Sequence, residues 1–274
     1  MTSGRWRERG LLVTGASIIA VTAVAAVLGP WLTPFDPSSQ ELPLRLAGPS
    51  ASHPFGLDEL GRDILARVLA GARISFAVGL AVVTVSASVG TLLGAVAGYF
   101  GGLIDDVISR VIYVLMAFPG LLLAIALVAV LGPSLANVLF ALTIIGWVGY
   151  ARLVRGQVLR AREFEYVQAA RAQGAGVPRI LWRHVIPTAI PAVVVQATLG
   201  MAGAIISEAA LSFLGLGVQP PTPSWGTMLN GGRAHLLDAP HLTLFPGLAI
   251  ALLVLGFNFV GDGLRDLADP REQR

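Results

Sequence analysis

Residues 74–104 read ISFAVGLAVVTVSASVGTLLGAVAGYFGGLI, 31 consecutive positions without an Asp, Glu, Lys or Arg. A helix needs about 20 apolar residues to cross the hydrocarbon of a bilayer. The run therefore holds one transmembrane span and a short connection at Gly98–Gly102. Working outward, Leu11–Leu32 carries no charge and supplies a span before it. Val111–Ala151 is uncharged for 41 residues, too long for one crossing, and is interrupted by Gly132-Pro133. Because Gly and Pro punctuate helices, it divides into spans over 111–131 and 135–151. Val185–Ser207, running on to Leu216, makes a fifth span and Leu242–Val260 a sixth. The expected fold class is an all-α membrane protein of six transmembrane helices.

Composition agrees. Hydrophobic residues make up 55% and charged residues 13%, against about 25% charged in a soluble domain. Every one of the 19 Lys+Arg residues is arginine. A phosphate loop of the G-x-x-x-x-G-K-[ST] type requires its lysine, so the chain is not expected to hydrolyse ATP by itself. No nucleophile–base–acid set is visible, and no catalytic or cofactor-binding residue is assigned. Cysteine is absent, which excludes disulfides, cysteine zinc sites and iron–sulfur clusters. The arginines fall mostly between spans, so membrane orientation accounts for the net charge of +3 better than nucleic acid does.

Short cytoplasmic segments collect Lys and Arg. With the N-terminus inside, the inner segments hold Arg5, Arg7, Arg9, Arg110, Arg152, Arg155, Arg160, Arg162, Arg171, Arg179, Arg183, Arg265, Arg271 and Arg274. The outer segments hold Arg45, Arg62, Arg67, Arg73 and Arg233, a split of 14 to 5 that places both termini in the cytoplasm. A cleaved signal peptide also begins with basic residues, but the 22 uncharged residues of Leu11–Leu32 exceed the usual apolar core of about 7–15; an uncleaved anchor is expected. The organisation is then residues 1–73, an anchor span plus an external loop, and residues 74–274, a five-span core. At the end of that loop Leu60, Ile64, Val68 and Ala72 recur every four residues behind Asp58 and Glu59, which predicts an amphipathic helix on the outer membrane surface leading into span two.

Residues 152–184 form a basic inner loop. Ala169, Ala170 and Ala172 favour helix, Gly174 or Gly176 can end it in the left-handed conformation, and Pro178 suits the first turn of a second helix. Pro187 marks the start of span five. From the residues alone this is a short helix lying crosswise at the surface, or simply a basic loop facing lipid headgroups.

The order of residues adds more. Tyr166-Val167-Gln168-Ala169-Ala170-x3-Gly174, followed by Ile180-x3-His184-x2-Pro187, resembles the EAA signature of binding-protein-dependent ABC permeases. His53–Asp63 (HPFGLDELGRD), Leu211–Gly226 (LSFLGLGVQPPTPSWG) and Phe257–Asp266 (FNFVGDGLRD) are similar to segments of C-type permeases in the oligopeptide/dipeptide/nickel branch. The resemblance implies the type I permease fold of ABC importers, with the inner loop as a cytoplasmic coupling helix that docks in a cleft of an ATPase subunit. It implies Glu165, Tyr166, Gln168, Ala169, Ala170, Gly174, His184 and Pro187 as the coupling residues. The partners it implies are a second homologous permease, one or two ATP-binding subunits (or a fused ATPase) that carry the ATP and magnesium, an extracytoplasmic solute-binding protein and the lipid bilayer. It implies a bacterial inner-membrane location and, as cargo, dipeptides, oligopeptides, nickel or another small solute. One position departs from the pattern. The family's usual acid is Gln168 here, and Glu165, three residues earlier on nearly the same helix face, is expected to supply the missing charge.

Other candidates are weaker. Glu208 follows the uncharged part of span five, and an ionisable group inside a membrane marks a pathway or gate by default. Pro119 is expected to kink span three. Gly90, Gly94, Gly98 and Gly102 recur every four residues, a spacing that lets helices pack closely, here within the subunit. Trp225 suits the membrane interface. His235, His241 and Asp238 lack the dense spacing of a metal site. An ATP-independent secondary transporter would need coupling-ion residues near the midplane; a membrane-anchored scaffold or sensor would not need the loop around Gly174.

Overall fold

The computed structural model describes residues 3–268. Arg271 and Arg274 lie outside the described residues, as do the side chains of Arg5, Arg7 and Arg9. The helices in chain order are α1 (Ser3–Leu32), α2 (Ile64–Phe100), α3 (Gly102–Met116), α4 (Gly120–Leu131), α5 (Leu135–Ala161), α6 (Glu165–Ala172), α7 (Val177–Ile180), α8 (Ile186–Phe213), α9 (Trp225–Gly232) and α10 (His241–Ala268). α1, α2, α5, α8 and α10 each contain a stretch long and apolar enough to cross a membrane. α3 and α4 pass that test only together, and they meet at 86°.

Four expected boundaries need correction. The surface helix before span two does not exist separately, because α2 runs unbroken for 37 residues from Ile64. Its N-cap is Asp63, whose side chain accepts from the Ala66 amide at 2.7 Å, rather than Asp58 or Glu59. Two arginines on its first turns reach back across the loop: Arg67 donates to the Pro37 carbonyl at 2.9 Å and stands 3.5 Å from Asp58, and Arg73 donates to the carbonyls of Ala26 and Val27 at 2.5 and 2.7 Å. Span three over 111–131 is instead the elbow α3–α4, broken at Ala117–Pro119. Span four runs ten residues past 151, so Arg152, Arg155 and Arg160 sit on its last turns. Finally, α7 and α8 join through a π-helical turn at Leu181–Val185 into one path from Val177 to Phe213.

α2 is the spine. A Cβ at Gly90 would lie 2.5 Å from the Trp147 carbonyl oxygen, and one at Gly98 would lie 2.9 Å from that of Arg155. Gly94 abuts the Ala151 carbonyl between them, so α2 and α5 run parallel in backbone contact. This glycine row therefore packs inside the subunit; Gly102, which opens α3, has nothing near it. Val78, Val82, Val128, Val138, Ala141, Ile205 and Leu253 fill the central core.

Residues 33–63 fold over the start of α2. Asp58 accepts from the Leu60 and Arg62 amides at 2.9 Å each and from the Arg62 guanidinium at 2.7 Å, while His53 lies 2.9 Å from Asp63. Trp225 is 1% exposed rather than interfacial. Gly71 faces its indole, and its N–H donates to the Val68 carbonyl at 2.9 Å. A buried indole needs that acceptor.

Candidate coupling surface

α6 begins as the chain leaves α5 and has one buried residue, Val167. Its side chain is fully enclosed in a cluster with Ala95 of α2, Val154, Val158 and Ala161 of α5, Ile180 of α7, and Val185 and Ile186 at the start of α8. One methyl-bearing side chain thus seats the helix on the junction of the bundle's principal elements. The opposite face is open: Glu165, Tyr166, Gln168 and Ala169 are exposed, with Ala170 half-buried.

The end of α6 follows from Gly174. The amides of Ala175 and Gly174 donate to the carbonyls of Ala170 and Arg171 at 3.0 Å each, the pair of bonds that defines a Schellman cap. Gly174 adopts φ +81°, and a Cβ there would meet nothing within 4 Å. Backbone conformation alone asks for glycine, at a cost of roughly 1–2 kcal/mol for another residue. Ala175 then packs against the Val167 cluster, and α7 begins with Pro178 in its first turn.

The loop residues assemble in part. Tyr166 lies over His184, with ring centroids 6.3 Å apart and its hydroxyl 3.5 Å from the His184 carbonyl. His184 itself sits in the π-helical turn, and Pro187 is exposed in the first turn of α8. Gln168 folds back so that its amide donates to the Glu163 carbonyl at 3.2 Å. Glu165 is exposed in the first turn of α6, where the helix dipole favours an anion. Glu163 pairs with Arg162 at 3.0 Å instead.

Three arginines tie this loop sideways. Arg155 of α5 grips Asp105 of α3 through two bonds of 2.5 and 2.7 Å, and Ser109 donates to the same carboxylate at 3.2 Å. Arg162 donates to the Gly98 carbonyl of α2 at 3.2 Å. Arg171 of α6 stands 5.6 Å over the Tyr99 ring. Sequence reasoning missed these and the anchoring part of Val167. Partners 50 to 72 positions apart leave no periodic trace; only the acid pair Asp105-Asp106 just after an uncharged run offered a signal.

The other candidates lie elsewhere. Glu208 is fully buried. Its Oε1 accepts from Ser212 at 2.7 Å, Ser212 accepts from the Val218 amide at 3.2 Å, and Oε2 has no partner. Pro119 caps α4 at the elbow and is exposed. His235 lies 3.0 Å from Asp238 and holds that exposed carboxylate below its ordinary range. His241 is buried apart from them against the Leu57 carbonyl.

Residues 90–274, which include α6, match the family described as binding-protein-dependent transport system inner membrane component. The chain belongs to that family. The dipeptide transport system permease protein DppC of Alkalihalophilus pseudofirmus is 47% identical over 273 residues, covering 97% of this chain and 90% of its own length. The glutathione transport system permease protein GsiD of Escherichia coli is 48% identical over 268 residues, covering 97% and 88%. Among solved structures, a chain of the MetNI methionine ABC transporter in inward-facing conformations superposes with a TM-score of 0.60 at 18% identity, covering 74% of this chain and 97% of that one. The fold is that of an ABC importer permease. The open face of α6 is held on the bundle by one apolar anchor, Val167, and a glycine cap at Gly174.

Proposed function

We propose that this chain is one of two permease subunits of an ATP-driven importer of short peptides, with dipeptides and glutathione the leading cargo. The observation that carries the reading is the placement of α6: exposed on one face, seated by Val167 on α2, α5, α7 and α8, and present in a chain nearly half identical to dipeptide and glutathione permeases. Partner ATPases bind the nucleotide and magnesium and hold α6 in a cleft. When they close, they push α6, and the push passes directly into α5 and α8, to α2 through Arg162, and to α3 through Arg155. The two permease bundles then rock apart at the far end, and a solute-binding protein delivers the peptide between them. The chain lowers no chemical barrier; it turns a rigid-body motion into a change of access.

In this arrangement the α6 end and both termini face the cytoplasm, and residues 33–63 and α9 face outward. Glu165 supplies the charge that Gln168 lacks. The test is a mild-detergent purification of the chain from its native membrane with mass spectrometry of what accompanies it. A homologous permease, ATPase chains and a solute-binding protein are expected. A chain that comes out alone, from a preparation that preserves other transporter complexes, overturns the reading.

A further inference from the structure

Where α1 ends and α2 begins, the two helices and the turn at 33–37 frame a half-open cavity of about 330 Å³. This is the small end of the range for ligand pockets, roughly 300–1,000 Å³. Its depth in the membrane follows from the sequence. The uncharged run of α1 stops at Leu32 and that of α2 starts at Ile74. Gly29 and Thr33 line one side of the cavity, and Ala70 and Arg73 line the other. Both uncharged runs therefore reach the cavity from the same side, which sets it at the boundary between hydrocarbon and headgroups. Trp31, on the last turn of α1, is 77% exposed, and tryptophan collects at that level. α1 packs on α10 and α2 and exposes Val21, Val24 and Val27, so this flank of the bundle faces lipid.

Two exposed side chains of opposite charge line the cavity, Arg73 and Asp36. Neither pairs with the other, or with any charged group among the described residues. Arg73 is held in place: its Nε and Nη2 donate to the carbonyls of Ala26 and Val27 at 2.5 and 2.7 Å. A guanidinium carries five N–H donors, so three are left without a partner among the described residues. Asp36 is held too, because its Oδ1 accepts from the Ser38 amide at 2.6 Å. Its Oδ2 has no partner among the described residues. The cavity thus presents a fixed cation and a fixed anion that do not neutralise each other, at the depth where lipid headgroups lie.

We propose that this cavity holds the headgroup of a zwitterionic aminophospholipid of the phosphatidylethanolamine type. Arg73 takes the phosphate through its remaining N–H groups, a charge-assisted contact for which the guanidinium is well shaped, and Asp36 takes the ammonium. The acyl chains run along the flank of α2 beyond Arg73, where Ala77 and Leu80 are exposed. Phosphatidylglycerol would satisfy Arg73 and leave Asp36 facing a neutral glycerol. A short peptide is also zwitterionic, but it has no apolar tail for that flank. The proposal stands on the membrane assignment of α1 and α2, and the orientation given above makes the leaflet the outer one. The lipid then acts as a wedge between the first span and the rest of the bundle.

The test uses the complete complex in nanodiscs of phosphatidylglycerol that carry a trace of phosphatidylethanolamine with a diazirine in one acyl chain. After illumination, the labelled peptides are mapped. Labelling is expected at 24–37 and 66–80 in excess of that at Leu252, an exposed residue of α10. Unlabelled phosphatidylethanolamine then replaces part of the bulk lipid with the trace held constant. At ten times its half-saturating fraction it leaves about one site in eleven free, so labelling around the cavity falls about tenfold while Leu252 keeps its level. Asp36→Asn retains the Oδ1 that accepts from Ser38 and removes only the charge. In that variant phosphatidylglycerol competes on equal terms, and the excess over Leu252 disappears. Inorganic phosphate and Ala-Ala, added in water, leave the labelling of the unsubstituted complex unchanged. Labelling no greater than at Leu252 overturns the proposal, since it means annular lipid or a partner chain over the cavity. An excess that survives in Asp36→Asn, or that phosphate or Ala-Ala clears, overturns it as well.

Discussion

Replacing Val167 by Ala tests how α6 is held. The side chain is fully buried among Ala95, Val154, Val158, Ala161, Ile180 and Val185, and truncation removes two methyl groups. At about 0.8 kcal/mol per buried carbon the transfer loss is roughly 1.6 kcal/mol. The unfilled cavity raises this to about 2.5 kcal/mol if the site cannot collapse. Because Val167 is the one buried residue of α6, that loss falls on the docking of α6 rather than on the bundle. A change of 1.6–2.5 kcal/mol multiplies the undocked population about 14- to 60-fold. Amide hydrogen exchange of residues 166–172 in the purified complex reads this population directly. Exchange there should quicken by a factor in that range, while α2 and α5 keep their protection and Gln168→Ala leaves exchange of the segment unchanged. An unaltered exchange rate in Val167→Ala would refute the view that one side chain seats the helix.

At the α2–α5 seam, Gly94→Ala puts a methyl against the rigid Ala151 carbonyl; overpacking of this kind costs about 1–3 kcal/mol, so the thermal midpoint of the detergent-solubilised protein should fall by several degrees, and Gly156→Ala, with open space at its Cβ, should not lower it. Glu165→Ala should reduce peptide-stimulated ATP hydrolysis of the complex while Gln168→Ala spares it, and the reverse ranking would return the coupling charge to another residue. Glu208 accepts from one hydroxyl, and its second oxygen has no partner among the described residues, so Glu208→Gln should shift stability by less than about 1 kcal/mol, whereas Glu208→Ala should cost roughly 2–4 kcal/mol through the cavity and the orphaned Ser212; equal effects in thermal unfolding would reject that account.

The spans were legible because charge is expensive in hydrocarbon, and uncharged runs such as 74–104 have few other uses. The break after α6 was legible for a different reason: Gly174 or Gly176 could end a helix in the left-handed conformation, and Gly174, at φ +81°, is the one that does. What could not be read was anything settled by distant partners. Arg67 and Arg73 looked like surface charges because the carbonyls of Pro37, Ala26 and Val27 that receive them lie 30 to 47 residues away. That concealed nearly the first three turns of α2, from Ile64 to Arg73. Pro119 announces a bend, but its 86° elbow depends on how α3 and α4 pack, which composition does not encode. Trp225 reads as interfacial until Gly71 is known to face it. In the candidate site the structure places the expected residues on and around α6, most of them exposed, while the buried Val167 beneath them was passed over, since a valine in a basic loop carries no mark of its burial.

The central claim is that this chain moves peptides under the control of ATPases acting on α6. Its most direct test is uptake of labelled Ala-Ala and glutathione into proteoliposomes holding the purified complex and its solute-binding protein, with and without ATP. The account predicts accumulation that requires both ATP and the binding protein and is lost in Val167→Asp, which buries a charge under α6. Accumulation driven by an ion gradient in liposomes that contain this chain without ATPases would contradict it.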